Sequence, residues 1–166
     1  MRTINIWDFE PETDLEIYLK YFFDTKPILF PPKNPLNFVE GVTGYTINRY
    51  NQFQTQLFIV SPNTEIPDHI HPNVDSFEVA IYGMTFRHSN EIVGTPETIQ
   101  QGEAIYVAHN DWHGGTASST GGCFLSIQKW LNNVPPSSVG NDWDGNTMGA
   151  QHTSIISTKV SSNAPR

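Results

Sequence analysis

An all-β sandwich or barrel carrying one short N-terminal helix is the fold class this sequence predicts. Three observations predict it. Short runs rich in β-branched and aromatic residues recur from about Gly44 to Leu131, clusters of Gly, Pro, Asn and Ser separate them, and only one segment has a helical period. That segment opens on Thr13-Asp14-Leu15-Glu16, a capping box, and continues with Leu15, Tyr18, Leu19 and Phe22 on one helical face before Asp24 and Pro27 close it. Its apolar stripe has to bury against something, most simply the outside of a sheet. The proline-rich stretch 27–35 fits neither a helix nor a central strand and reads as a connector.

Strands are expected at 45–50, 54–60, 65–70, 76–87, 91–93, 98–100, 104–108 and 123–131, with turns at 61–63, 89–90, 94–96, 101–102 and 114–122. In the longest of these, Phe77, Val79 and Ile81 occupy one face and Ala80, Tyr82, Met84 and Phe86 the other, so both faces are apolar. Such a strand suits a barrel wall covered outside by the helix or by a second copy of the chain, and a homodimer is expected. Beyond Leu131 the composition shifts to Asn, Pro, Ser and Gly, the pattern of an arm wrapped on the barrel and a frayed tail. The chain therefore divides into a helix and connector at 1–39, a barrel at 40–131 and an arm at 132–166, all within a single domain.

Composition limits the function. With 9 Lys and Arg against 17 Asp and Glu, the net charge of -8 argues against nucleic acid, an anionic membrane or a polyphosphorylated substrate, leaving a small-molecule substrate as the expected partner. Cys123 is the single cysteine, so no disulfide framework exists within the chain. The first residues lack the apolar core of a signal peptide, and no run reaches the ~20 apolar residues of a membrane helix. A soluble, cytoplasmic protein is expected.

The residues that can carry chemistry begin with His69-Ile70-His71. Two imidazoles two residues apart on an extended segment face the same side, so one metal ion can meet both, and His113 in Asp111-Trp112-His113 offers a third. These stretches resemble the two motifs of the cupin family. Pro67-Asp68-His69-Ile70-His71-Pro72 and the closing Gly83 match the first, with Asn63 in place of its opening glycine. Gly102 and His113 stand in register in the second, with Ala108 for its proline, Asn110 for its second glycine and Ala117 for its terminal asparagine. The resemblance spans residues 40–131. It implies a double-stranded β-helix, or jelly roll, in which His69, His71 and His113 bind one divalent ion near the barrel mouth.

The departure from the family decides the ligand set. Ser76 stands where most cupins place a metal-binding glutamate, and Glu78 lies on the same face displaced by about 6.6 Å of strand rise. The centre is then a three-histidine one with Glu78 as acid/base or substrate anchor, unless a change of register makes Glu78 a fourth ligand. Three-histidine centres resemble those of cupin thiol and diketone dioxygenases, which implies ferrous iron as the leading metal, with zinc, nickel, manganese and copper as alternatives. A dioxygenase-like oxidation or cleavage of a small polar molecule is the leading expectation. A redox-neutral isomerase, epimerase or hydrolase is the second, and a binding module with a vestigial site the third.

Tyr82 and Phe86 are expected to shape the pocket, Tyr82 as a catalytic candidate beside Glu78. Gln56 and Gln128 lie on strands able to face the cavity, where neutral amides suit a polar uncharged ligand. His109 is a candidate neighbour of the metal or an exposed turn residue. His152 and Trp143 reach the site only if the C-terminal arm crosses the barrel mouth. Arg87 points away from the Glu78 face, Asp75 reads as a turn residue, Arg49 and Lys129 are the other cations near barrel strands, and Cys123 reads as a buried packing residue.

Overall fold

Two antiparallel sheets, packed face to face with a helix outside one of them, account for the alternating pattern. The computed structural model describes residues 3–25, 36–89, 95–97, 102–134, 139–141 and 147–148. In chain order the elements are β1 (Thr3–Asn5), α1 (Asp14–Thr25), β2 (Leu36–Val39), β3 (Val42–Tyr50), β4 (Phe53–Val60), β5 (Glu65–Ile70), β6 (Val74–Tyr82) and β7 (Met84–Ser89). They continue with β8 (Thr95–Glu97), β9 (Glu103–Val107), β10 (Trp112–Ala117), β11 (Gly122–Trp130), β12 (Val139–Asn141) and β13 (Thr147–Met148). One sheet has seven strands in the order β1-β9-β6-β11-β4-β3-β2, the other six in the order β13-β12-β5-β10-β7-β8. Among the described residues no helix is long and apolar enough to cross a membrane.

The helix forms as its sequence predicts. The Thr13 hydroxyl accepts from the Glu16 N–H at 3.2 Å and donates to the Glu16 carboxylate at 2.9 Å, while that carboxylate also accepts from the Glu12 N–H at 3.4 Å. Leu15, Tyr18, Leu19 and Phe22 pack against Phe77, Val79, Leu125 and Ile127 on the outer face of the seven-stranded sheet. Each such side chain stabilises by about 1.5–3 kcal/mol when fully buried. The outer face of β6 is thus covered by α1 within the chain. Replacing Thr13 with alanine should cost about 1 kcal/mol and lower the melting temperature by roughly 2–4 °C in a thermal scan; an unchanged midpoint would show that Glu16 alone caps the helix.

A second apolar cluster, Val42, Val60, Ala80, Met84, Phe86, Ile105, Val107, Ala117 and Phe124, lies between the sheets. The expected long strand at 76–87 is instead two strands in different sheets. Gly83 makes the corner at φ +66°, and a Cβ there would run into the Gly121 carbonyl oxygen. The expected turn at 114–122 is also mostly strand. Gly114 and Gly115 belong to β10, and only the segment around Ser118–Gly121 turns back. Segment 95–97, expected within a turn, pairs with β7. Both flanks add edge strands, β1 and β2 to one sheet and β12 and β13 to the other. The connector at 27–35 and the strands expected at 91–93 and 98–100 lie outside the described residues.

Candidate metal centre

β5 and β10 bring the three histidines together. His113 on β10 stands directly across from His69 on β5, and His71 follows one residue past the end of β5. Ring centroids are 4.2 Å apart for His69 and His113, 4.8 Å for His69 and His71, and 5.0 Å for His71 and His113. One potential ligand atom from each ring lies within 4.8 Å of the other two.

Hydrogen bonds set which nitrogen two of the rings offer. The His69 Nδ1 lies 2.7 Å from the Pro67 carbonyl and the His113 Nδ1 2.9 Å from the Asp111 carbonyl. A carbonyl can only accept, so both Nδ1 atoms carry the proton and both Nε2 lone pairs are left for a ligand. Burial lowers the pKa of His69 and holds that of His113 well below the usual imidazole range, where the adjacent His69 and His71 add to the effect. Neutral imidazoles converging on one point fit a divalent transition ion. The Glu78 carboxylate is not part of this group.

Glu78 belongs to the facing sheet. Its Oε1 accepts from the Ser76 hydroxyl at 2.9 Å and the Ser126 hydroxyl at 3.0 Å. The residue is buried, and burial pushes its carboxyl up to about 7 against the opposing effect of the two serines. Ser76, at the family's glutamate position, thus orients the neighbouring acid. Gln54, Gln56 and Gln128 are buried on the same wall and hydrogen-bonded to one another.

Strand alternation places this wall and the histidines in one interior. Glu78, Ser126 and Gln56 lie two residues from Ala80, Phe124 and Phe58 of the inter-sheet cluster, and His113 is two from Gly115 and four from Ala117. They also share one end of it. β6 begins shortly after His71, and the Asn110 N–H donates to the His71 carbonyl at 3.0 Å. The opposite end is apolar, with Phe124 stacked on Phe58 at 4.9 Å and edge-on to Phe86 at 5.5 Å.

Tyr82 is not brought to the histidines. It lies at the far end of β6 beside Gly83 and is 54% exposed. An extra residue in β6 causes this: Ala80 pairs with Phe124, but Tyr82 pairs with Cys123, whose side-chain direction is outward. Phe86 is buried in the apolar end. His109 is half exposed and is held by Asp75, which lies in β6 and accepts from its backbone N–H at 2.8 Å and from its Nδ1 at 2.7 Å. Arg87 faces away from the interior, paired with Asp68 at 2.8 Å and bonded to Thr116 and the Ile66 carbonyl. Gly114 lets that pair pass, since a Cβ there would collide with Asp68. Lys129 pairs with Asp14 of the helix, Arg49 stacks over the Trp130 ring at 3.5 Å, and Cys123 is buried. Trp143 and His152 lie outside the described residues, but β12 of the arm runs beside β5, with Gly140 opposite His69.

One residue near the site was missed from sequence. His88 stands opposite His113 on β7 and its Nε2 lies 3.1 Å from the Asp111 carboxylate, which also accepts from the Ala108 N–H. The signal was available in the alternation Met84, Phe86, His88.

Neither a protein-family model nor a curated protein sequence matches the chain. Solved structures do. KdgF from Halomonas sp. is 14% identical, with 58% of this chain and 84% of that one covered at a TM-score of 0.50. An RmlC-like cupin from Shewanella frigidimarina is 14% identical, with 59% and 84% covered at 0.50. The fold is that of the cupins. The coconut allergen cocosin shares it over 71% of this chain and 33% of its own, at 16% identity and a TM-score of 0.56. Enzymes and other proteins alike are built on such superfolds, so what this chain does has to be argued from its own residues.

Proposed function

We propose that this cupin is a metal-dependent enzyme acting on a small polar molecule, with His69, His71 and His113 as ligands and oxygenation as its leading reaction. The observation that carries the reading is the convergence of neutral imidazoles with two of their Nδ1 protons tied to carbonyls. Three uncharged ligands leave a ferrous or similar ion its full charge and open positions, which suits a chelating substrate together with dioxygen. Glu78, held by Ser76 and Ser126, supplies a proton acceptor or donor poised near neutral pH.

That same feature favours a second reading, a redox-neutral proton transfer such as isomerisation or hydrolysis. Oxygen uptake separates the two. Protein loaded anaerobically with ferrous iron should consume oxygen in proportion to substrate when offered thiols, diketones or catechols. Absence of uptake across that panel, with stoichiometric metal bound, transfers the assignment to the redox-neutral reaction. Substoichiometric binding of every first-row metal would instead leave a binding module with a vestigial site.

A further inference from the structure

We infer that the polar wall facing the histidines recognises a small, uncharged, hydroxyl-rich ligand through Thr46, Gln54, Gln56 and Glu78. The inference deepens the functional reading and rests on it only for which end of the ligand would react.

The argument starts from Trp130, whose indole N–H can only donate. It donates to Gln128 Oε1 at 3.1 Å, which fixes that atom as the oxygen and the other end of the amide as the NH2 group. Gln54 must then present its own NH2 group to Gln128 Oε1, at 3.2 Å, and Gln56 its oxygen to Gln128 Nε2, at 2.8 Å. Gln128 Nε2 also reaches Ser126 Oγ at 3.3 Å, and Ser126 donates to Glu78 Oε1. Gln128 is therefore a saturated hub, and each residue around it has one polar end tied down.

The other ends are what remains. Gln54 Oε1, Gln56 Nε2, Glu78 Oε2 and Thr46 Oγ1 are buried and have no hydrogen-bond partner among the described residues. Thr46 is directly opposite Gln56, Gln56 opposite Ser126 and Ser126 opposite Glu78, so these atoms share one face of neighbouring strands. Gln54, Gln56 and Glu78 are 0%, 3% and 8% exposed. A buried polar group left unpaired costs about 1–3 kcal/mol, and a row of them on the wall facing a metal-capable cluster is the complement of a ligand.

Their chemistry selects its class. The row offers an amide oxygen, an amide N–H, a carboxyl oxygen and a hydroxyl. A ligand hydroxyl donates and accepts, so successive hydroxyls satisfy such a mixed row. A carboxylate only accepts and would oppose Gln54 Oε1 and, once Glu78 is ionised, its Oε2 as well. Arg49, opposite Gln54, is the cation at this wall, and it is stacked on the Trp130 ring and bonded to the Asn51 carbonyl and Asn133, so an acid would have to compete for it. The phenylalanine cluster at the other end of the interior limits how far the ligand extends.

The test uses D-glucose, D-xylose and myo-inositol as neutral probes and D-gluconate and succinate as anionic ones, titrated calorimetrically into chelator-treated and zinc-loaded protein. The metal-free protein should bind at least one neutral probe more tightly than either acid. Thr46→Val keeps shape and breaks no hydrogen bond among the described residues, so it should weaken that probe about tenfold without lowering the melting temperature. Gln56→Leu, checked for its fold by circular dichroism, should weaken it at least as much. Failure of every neutral probe, tighter binding of the acids to metal-free protein, or full affinity in both variants overturns the inference. Probe binding without turnover or metal would remove the enzymatic reading and leave this one standing, whereas turnover of an acid without binding of the neutral probes would do the reverse.

Discussion

Replacing His113 with alanine is expected to abolish stoichiometric metal binding. One ring nitrogen from each histidine joins the group, and His113 is the member supplied by β10, while His69 and His71 come from β5 and the residue just beyond it. Mutating residues that merely orient a ligand typically costs about 10–100-fold in metal affinity, so loss of a ligand itself should exceed that. Elemental analysis of protein purified with added ferrous iron or zinc reads the effect directly. A second readout follows from linkage: free zinc at about 100 times its dissociation constant stabilises the folded wild type by about 2.7 kcal/mol. At this chain length that corresponds to a rise of roughly 5–10 °C in melting temperature, absent in the variant. Because burial depresses the pKa of His69 and His113, protons should displace the ion only at a pH below the usual imidazole range. Full metal content in His113→Ala would remove the three-histidine assignment.

Much of this site could be read from sequence, for reasons that separate clearly from those that hid the rest. The pair His69 and His71 was legible because period-two alternation puts both on one face whatever the tertiary structure, and His113 because of its offset from Gly102. The substitution of Ser76 pointed to a three-histidine group, and the place of Glu78 one pleat along the same strand was legible too. Glycine was the main obstacle. Gly83 and Gly121 have positive φ and mark real corners, whereas Gly114 and Gly115 lie within β10, where the demand is space for Asp68, Arg87 and Met84. Sequence shows the residue but not which of the two demands it meets. Reading through Gly83 merged β6 and β7 and stopped short of His88, and the extra residue opposite Phe124 and Cys123 reversed Tyr82. The Gln54, Gln56 and Gln128 network needed the register of β4 against β11, which no single segment encodes.

Glu78 should make the metal-free protein less stable as pH rises, and Glu78→Gln should remove that loss. The folded-state carboxyl sits at about 7 against an ordinary value of 4.5, raised because burial disfavours its charged form. Below pH 4.5 both folded and unfolded chains hold the proton, and the group makes no difference. Between 4.5 and 7 the unfolded chain releases it while the folded chain keeps it, so stability falls with rising pH and the loss levels off above 7, at a total on the order of 3 kcal/mol. His69 and His113, with lowered pKa values, bias the chain the other way as pH falls below the imidazole range, so the comparison has to be a difference between proteins. Glutamine keeps an oxygen for the Ser76 and Ser126 hydroxyls and carries no charge. Urea unfolding of chelator-treated wild type and Glu78→Gln at pH 4.5, 6 and 7.5 should therefore give curves that separate progressively, the variant being the more stable at the highest pH. A separation that does not change with pH would mean the carboxyl titrates normally in the fold, and the proton-transfer role assigned to it would go with it. In the metal-loaded enzyme, activity that requires the carboxylate should rise with pH as Glu78 ionises, with a midpoint no higher than that of the metal-free group, because a bound dication favours the carboxylate. Glu78→Gln should lose that rising limb and about 10²–10⁴-fold of the rate, even as it gains stability.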